Sequence, residues 1–401
     1  MNEYTAAAFC AIGAEKVVSN ELKKLPAYTV LESGFGRVRF KTSLDGLYRA
    51  LLSLRAADRL LLELANFPAA DFDALFEAVS AIPLENFIPR GMGLKVAKVR
   101  SSASQLKAET SIQAVVHKAA AQRLCDRYGI SRLPGGTMDG NGQNEVKEAE
   151  LRVFMEKNRA SILLDISGEP LFKRGYRPVG GIAPLRETTA AAMILLSQWK
   201  RKFPLYDPFC GSGTIVIEAA LYAWDKAPGL GRRFALSDLA IADKRTEETI
   251  RKELAEKIDY SRPINIIGSD ADEKTLSLAR ANLRRAQSVP ENIAQNAGGA
   301  GKIKGIELNC LPMKDASPST STVMPGFIIT NPPYGKRLGE PEEAEAGYAA
   351  MAGLCKTFSE WKLALICNHK GFESHFGRKA DNCRELKSGA VDTWLYQYDK
   401  L

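Results

Sequence analysis

A short apolar strand that turns through two glycines into a helix constrains the fold of this chain more than any other feature. The segment Asp207-Pro-Phe-Cys-Gly-Ser-Gly-Thr214 joins a strand at Leu205–Asp207 to a helical run over 214–224. Glycines at such a junction let the backbone turn tightly and approach a ligand closely. The helix that follows aims its free N–H groups at whatever lies there. The same alternation fills residues 169–401. Strands are expected at 264–269, 303–309, Phe327–Thr330 and Lys362–Cys367, and helices at 246–258, Glu273–Gln287 and 345–358. A parallel sheet with helices on both faces follows from that pattern. The aromatic segment 393–398 adds an edge hairpin.

Two α+β stretches precede it. Residues 1–65 hold an apolar run at Tyr4–Cys10, a helix at 14–25, a β-like segment at 36–40 and a mixed apolar region at 44–64. Residues 66–168 hold helices at 72–81 and 111–128, a strand at 93–99, a glycine-rich loop at 133–143, and strands at 150–156 and Arg159–Asp165. Two low-complexity loops, 294–301 and 317–322, read as surface insertions. A chain of 401 residues can bury a core without disulfides. Its seven cysteines form no C-x-x-C pair, which points to reduced thiols. No basic segment precedes the apolar stretch near the start and no run of 18 apolar residues occurs. A cytoplasmic protein with no membrane partner is expected.

The glycine loop narrows the ligand. A phosphate loop would place Lys-Ser/Thr after the glycines, whereas Ile215-Val216 follow here. An acid leading into the glycines suits a cationic ligand, and S-adenosylmethionine carries both an ammonium and a sulfonium. Asp207 is expected to face them, with Phe209, Cys210, Gly211, Ser212, Gly213 and Thr214 forming the cradle. A second acid is expected at the end of the next strand for the ribose hydroxyls. Gly268-Ser-Asp-Ala-Asp272 supplies Asp270, beside Ala271, 63 residues after Asp207. A minimal unit would need ~20, so an insertion around 225–262 is expected. A lone G-x-G can be a mere strand-to-helix connection; the full string with its downstream acid is more specific.

Phe327-Ile-Ile-Thr-Asn-Pro-Pro-Tyr-Gly335 is the sharpest chemical signal. Two prolines fix φ and remove two donors, leaving a stiff loop that presents acceptors. The amine of guanine or adenine is a poor nucleophile because its lone pair is delocalised into the ring. The Asn331 side-chain oxygen and the Pro332 carbonyl can accept its two N–H groups, Pro333 stiffens the turn, and Tyr334 can stack on a base taken out of its helix. That is catalysis by positioning and electrostatics. Pro-Pro turns also occur as rigid loops, but this one ends a sheet strand downstream of the glycine loop.

The strings Leu171-Phe-Lys-Arg-Gly-Tyr-Arg177, Ala183-Pro-Leu-Arg-Glu-Thr188, DPFCGSGTIVIEAA, GSDAD and NPPYGKRLGE resemble those of the THUMP-domain RNA guanine-N2 methyltransferases. The resemblance is nearest to bacterial members related to the large-subunit ribosomal RNA enzyme. Lys95-Val-Ala-Lys-Val-Arg-Ser-Ser-Ala-Ser-Gln-Leu-Lys107, followed by Ser111-Ile-Gln113, resembles the RNA-binding THUMP module. It implies a ferredoxin-like unit at 1–65, a THUMP domain at 66–168 and a Rossmann-like domain at 169–401 with an antiparallel last strand. It implies methylation of a guanosine N2 in RNA, 23S rRNA above all, with S-adenosylhomocysteine as product. It also implies that Pro184, Glu187 and Thr188 help line the cofactor site. Asp315 is the nearest acid for the adenine contact that such enzymes make after their third strand.

The excess of 55 Lys+Arg over 47 Asp+Glu favours a polyanionic partner only weakly. Its distribution says more. Between 95 and 132 lie eight Lys/Arg against two acids. Lys95, Lys98, Arg100, Lys107, Lys118 and Arg123 are expected to meet RNA phosphates, and binding would be salt-dependent. Arg174 and Arg177, beside Lys173 and Tyr176, form a second patch that either guides RNA or joins domains. The histidines His117, His369 and His375 show no ligand spacing, so no metal is expected. Cys210 reads as a packed side chain. Alternatives are a tRNA guanine-N2 methyltransferase, a DNA adenine-N6 methyltransferase, and a non-catalytic RNA-binding or ribosome-assembly factor.

Overall fold

The computed structural model describes residues 3–135, 146–177, 185–288, 304–318, 325–333, 341–387 and 391–401, with backbone alone for 341–343. The chain opens with β1 (Tyr4–Cys10), α1 (Glu15–Lys23), β2 (Thr29–Gly34), β3 (Arg37–Thr42), α2 (Leu44–Ser53) and β4 (Ala57–Pro68). These strands pair antiparallel in the order β2-β3-β1-β4, the expected ferredoxin-like arrangement. The mixed region 44–64 resolves into α2 and β4. Ser43 caps α2 by accepting from the Gly46 N–H, and Leu54 turns to extended backbone after it.

The same sheet continues through α3 (Phe72–Ser80), β5 (Gly93–Ser102), α4 (Glu109–Tyr128), β6 (Glu148–Glu156) and β7 (Arg159–Asp165). Its order is β2-β3-β1-β4-β7-β6-β5, with β5 parallel to β6 at one edge. β4 runs through residues 65 and 66, where the sequence suggested a division, and pairs with β1 on one side and β7 on the other.

The second sheet is built from α5 (Glu187–Leu196), β8 (Leu205–Asp207), α6 (Thr214–Ala223), α7 (Lys244–Glu256), β9 (Ile266–Asp270), α8 (Glu273–Gln287), β10 (Ile306–Cys310), β11 (Phe327–Thr330), α9 (Pro341–Met351), α10 (Leu354–Thr357), β12 (Lys362–Cys367), α11 (Phe372–Phe376), β13 (Asn382–Glu385) and β14 (Trp394–Tyr398). The strand order is β10-β9-β8-β11-β12-β14-β13. β8 to β12 run parallel and β14 runs antiparallel to both its neighbours. The inner strands are apolar on both faces, as a doubly covered parallel sheet requires. Ile328, Leu363 and Leu365 pack with Tyr348 and Phe358 on one side. Ile329, Ala364 and Ile366 join the other core, which also holds Leu51 and Leu52 of the first sheet's layer.

The insertion around 225–262 carries α7, whose Glu253 accepts from Arg49 of α2 at 2.7 Å. Much of what lengthens the second unit thus clamps it to the first. Among the described residues no helix is long and apolar enough to cross a membrane.

Candidate active site

In a parallel sheet that winds both ways from a central strand, ligands bind beyond the C-terminal strand ends where the order reverses. Here that point lies between β8, which is followed by β9 on one side, and β11 on the other. Asp207 ends β8, Asp270 ends β9 and Asn331 follows β11. The expected site residues therefore meet at one edge of the sheet.

Asp207 is 1% exposed. Its Oδ1 accepts from the Thr330 hydroxyl at 2.6 Å and from the Phe209 N–H at 3.1 Å. Burial pushes its carboxyl up to about 7, because the anion has lost its water. The bonds from Thr330 and Phe209 oppose that shift, and the Asp270 charge adds to it. Thr330 is fully buried, so one hydroxyl couples the strand before the glycine loop to the strand before Asn331.

Gly211 and Gly213 both have positive φ, +52° and +84°, which turns the chain into α6. Asp270 fixes this loop from below: its Oδ2 accepts from the Gly211 N–H and its Oδ1 from the Asp272 N–H, both at 3.0 Å. Asn282 of α8 donates to the Ser212 carbonyl at 3.1 Å. Thr214 opens α6 and is buried. Phe209 is half-buried against the second core. Cys210 is buried, and burial pushes its thiol up, which suits packing rather than nucleophilic attack. Ala271 is exposed just beyond β9, and Asp315 is exposed in a turn at Met313–Asp315 after β10, at the same edge.

Asn331 supplies the telling atom. Its Oδ1 is buried and has no hydrogen-bond partner among the described residues. Buried polar atoms are nearly always paired, and leaving one unpaired costs ~1–3 kcal/mol. Pro332 is buried and Pro333 half-buried beside it. Tyr334 and Pro184 lie outside the described residues.

Other expected residues have different employment. Glu187, 3% exposed at the start of α5, is paired with Arg177, whose Nε donates to Oε1 at 2.8 Å. Arg177 also donates to Thr214 Oγ1 at 3.4 Å. The Thr188 hydroxyl donates to Asp58 of β4, which Arg186 also reaches at 3.2 Å. Arg174 is buried. It donates to the carbonyls of Leu171 and Arg55 and lies 3.6 Å from Glu218, to which Tyr176 also donates. Arg174 and Arg177 are therefore seam and loop supports, not part of an RNA-facing patch. Sequence proximity to Tyr176 could not reveal that their acids sit 10 to 44 residues away.

In the middle stretch Lys95, Lys98, Arg100 and Lys107 are exposed along β5 and the turn after it. Partial burial and the charges of Arg100, Arg152 and Arg59 hold the Lys98 ammonium below its usual range, while Lys95 lies 3.7 and 3.8 Å from Glu148 and Glu150 and Arg100 donates to Glu109 at 3.2 Å. Lys118 is exposed on α4, its Nζ 5.8 Å from the Phe76 ring centroid. Arg123 forms a two-pronged bond with Glu85 at 3.0 and 2.6 Å and ties α4 to the turn after α3, with its side chain about a third exposed.

The histidines also differ from expectation. Nε2 of His369 and of His375 lie 3.3 and 3.5 Å from Glu345 Oε1, and the three come within ligand-group distance of one another. The Gly371 N–H donates to His369 Nδ1 at 3.1 Å. That bond puts the proton of a neutral His369 on Nε2, facing Glu345, where a metal ligand would need a lone pair. The cluster fits a proton-holding clasp better than a metal centre. No sequence spacing flags it, because Glu345 comes from α9 while His369 precedes α11 and His375 lies within it.

Comparisons with known proteins agree with this geometry. A sequence profile described as the RMKL-like methyltransferase domain matches residues 174–397, and one described as the RlmL ferredoxin-like domain matches residues 5–61. YpsC of Bacillus subtilis strain 168, named provisionally as an RNA methyltransferase, is 35% identical over 398 residues, 99% of this chain and 96% of that one. The ribosomal RNA large subunit methyltransferase K/L of Syntrophotalea carbinolica is 33% identical over 398 residues. That match covers 96% of this chain and 52% of the other, so this chain spans about half the length of that relative. The crystal structure of SMU.472, named provisionally as a methyltransferase and complexed with S-adenosylhomocysteine, superposes with a TM-score of 0.84 at 33% identity, covering 100% of this chain and 99% of that one.

Proposed function

The chain belongs to the family of RMKL-like methyltransferases, and from that premise we propose that it methylates the exocyclic N2 of a guanosine in RNA, with large-subunit ribosomal RNA as the substrate and S-adenosylmethionine as the donor. The observation that carries the reading is the buried Oδ1 of Asn331 at the tip of β11, which has no partner among the described residues. An acceptor held out of water without a donor is arranged for a ligand N–H.

S-adenosylmethionine supplies an electrophilic methyl group on a sulfonium. The residues present fit it. Both described bonds to Asp207 fall on Oδ1, which leaves Oδ2 for the ammonium. Each Asp270 oxygen holds one backbone N–H and keeps a lone pair for a ribose hydroxyl. Gly211 to Thr214 offer the open end of α6, and Glu187 and Thr188 stand at the neighbouring helix start.

On the substrate side, Asn331 Oδ1 and the Pro332 carbonyl accept the two amine hydrogens. That pulls the nitrogen toward tetrahedral geometry and frees its lone pair from the ring. As the N–C bond forms at the expense of the donor's methyl C–S bond, leaving S-adenosylhomocysteine as a neutral thioether, positive charge grows on the amine and these fixed acceptors would stabilise it without reorganising. The amine then sheds a proton to solvent. Tyr334 is assigned the stacking role, on a base drawn out of its helix. Residues 66–168 are assigned as the THUMP module, with Lys95, Lys98, Arg100 and Lys107 against phosphates; their exposure along β5 supports this.

Label from methyl-labelled S-adenosylmethionine should enter total RNA of a strain lacking this protein and be recovered as N2-methylguanosine in the large ribosomal RNA. Recovery in transfer RNA would move the substrate, and recovery as N6-methyladenosine in DNA would replace the reading. No label in any nucleic acid, including assembling ribosomal particles, would leave a binding role only.

A further inference from the structure

The catalytic edge of the second sheet continues past β11 toward β13. β12 ends at Cys367, and Lys370 follows, its Nζ 5.7 Å from the centroid of the Trp394 ring at the start of β14. β14 is antiparallel, so its first residue lies at the edge where β12 and β13 end, as the pairings Cys367↔Trp394 and Glu385↔Trp394 require. Lys387 comes next, two residues beyond the end of β13. Its backbone exchanges two 3.0 Å hydrogen bonds with Ile12 of the first sheet's layer.

That bridge delivers the β2–β3 hairpin to the same rim. Glu15 holds it there: Oε2 accepts from the Gly13 N–H at 2.9 Å, and Oε1 accepts from the Gly36 N–H at 2.7 Å. The Gly36 carbonyl accepts from the Cys10 N–H at 2.8 Å. On this pinned turn sits Phe35, 95% exposed and at φ +52°. A bulky aromatic is an outlier in left-handed backbone, and one this exposed gains almost no burial in return. Phe35 and Gly36 are the two central residues of the β2–β3 turn, and a two-residue hairpin asks for positive φ at both; what the turn does not explain is a large aromatic at that tip, left 95% exposed.

We propose that Phe35 is a stacking platform for an unpaired nucleobase of the substrate RNA, presented at the catalytic rim with Lys370, Trp394 and Lys387 between it and Asn331. This rests on the reading of the chain as an RNA methyltransferase. β11 and β13 are three strand positions apart, ~14 Å at 4.8 Å per strand, and the turn lies further out, beyond β13 through Ile12, so the contact falls to nucleotides flanking the target rather than to the target itself. Rigid ring faces interleaved with cations are what single-stranded RNA uses, because every base has a π-face. Ile12, 43% exposed, lies beside the turn, and Leu31 of β2 is exposed to the same extent; charged side chains stand among them, an interleaving of apolar and charged groups that a nucleobase with its phosphates can use. Arg37 is offset by Glu32 and Glu156, and Lys387 by Asp392. Stacking, more than net charge, therefore carries the contact.

The test uses a fluorescein-labelled 12-nucleotide oligouridylate and a duplex of equal length, titrated with the full chain by anisotropy. Phe35→Asn keeps a residue that tolerates left-handed backbone, so melting temperature and cofactor affinity stay native. It should weaken binding of the single strand by roughly 5- to 150-fold and leave duplex binding unchanged, and Phe35→Trp should restore it. On the methyl-accepting RNA, Phe35→Asn should raise KM with kcat held. A native chain indifferent to the oligomer, or a Phe35→Asn chain that binds it normally, overturns the platform. Methyl transfer to RNA with a native KM in Phe35→Asn sinks the platform and keeps the enzyme. Phe35-dependent oligomer binding with no methylated RNA does the reverse.

Discussion

Replacing Thr330 with Val removes one hydroxyl from a fully buried position while keeping the side-chain shape. The lost bond, 2.6 Å to Asp207 Oδ1, holds a carboxyl that burial pushes up to about 7. A hydrogen bond to a charged group contributes ~1.5–3 kcal/mol, so the Asp207 carboxyl of the variant should titrate about one to two units higher. If the Asp207 anion binds the cofactor ammonium, affinity for S-adenosylmethionine in the native chain should rise about tenfold per pH unit below 7 and level off above it. In Thr330→Val the midpoint should move to about pH 8–9, with affinity at pH 7 down roughly 5- to 50-fold. Stability runs the other way. The folded pKa of Asp207 lies above the unfolded value of 3.8, so the folded state holds a proton that the unfolded chain releases. Stability of the ligand-free protein is therefore greatest below pH ~4 and falls as pH rises toward 7, by at most about 4 kcal/mol. Calorimetric titrations between pH 5.5 and 9, in two buffers of different ionisation enthalpy, measure both affinity and proton release. A flat native profile, or a Thr330→Val profile superimposable on it, refutes the argument.

Three further outcomes check the assignments. Asp270→Asn should lower cofactor affinity by about 10- to 100-fold, since the amide places a donor where Gly211 N–H or a ribose hydroxyl donates; unchanged affinity by calorimetry removes Asp270 from the site. Asn331→Ala should bind cofactor normally and lose ~100- to 1,000-fold in kcat; near-native turnover would sink the amine-positioning role. Arg174→Ala should leave buried Glu218 short of a partner and destabilise the fold by about 3 kcal/mol or more, seen as a lower melting temperature. The salt dependence of RNA binding should not change, and the opposite pair of results would return Arg174 to the RNA.

The parallel sheet and the main site residues were legible in the sequence because local chemistry dictates them. A turn through Gly211 and Gly213 demands positive φ, and an apolar strand such as Phe327–Thr330 running into two prolines can only end. The ferredoxin-like order was reached through resemblance, since alternation of short elements does not determine antiparallel pairing. The union of both N-terminal units in one sheet was not legible, because a 12-residue strand shared by two units carries no mark of where one stops.

Charge was the least legible property, and the failures share one cause. A basic residue announces itself, but the carboxylate that neutralises it comes from elsewhere in the chain: Glu218 for Arg174, Glu187 for Arg177, Glu85 for Arg123. Asp58 of β4 likewise takes Thr188 and Arg186 from the start of α5. Thr188, expected at the cofactor, and Arg177, expected at the RNA, both brace the framework of the site. The consequence is mechanical. Arg177 spans from Glu187 of α5 to Thr214 of the glycine loop, and α5 is anchored through Thr188 to the first sheet. The cofactor loop is thus braced against the N-terminal unit, and the rim that carries Asn331 is tied to the same unit again where Ile12 meets Lys387. A substrate held by the N-terminal half would therefore be held in fixed register with the reacting edge, as positioning catalysis requires.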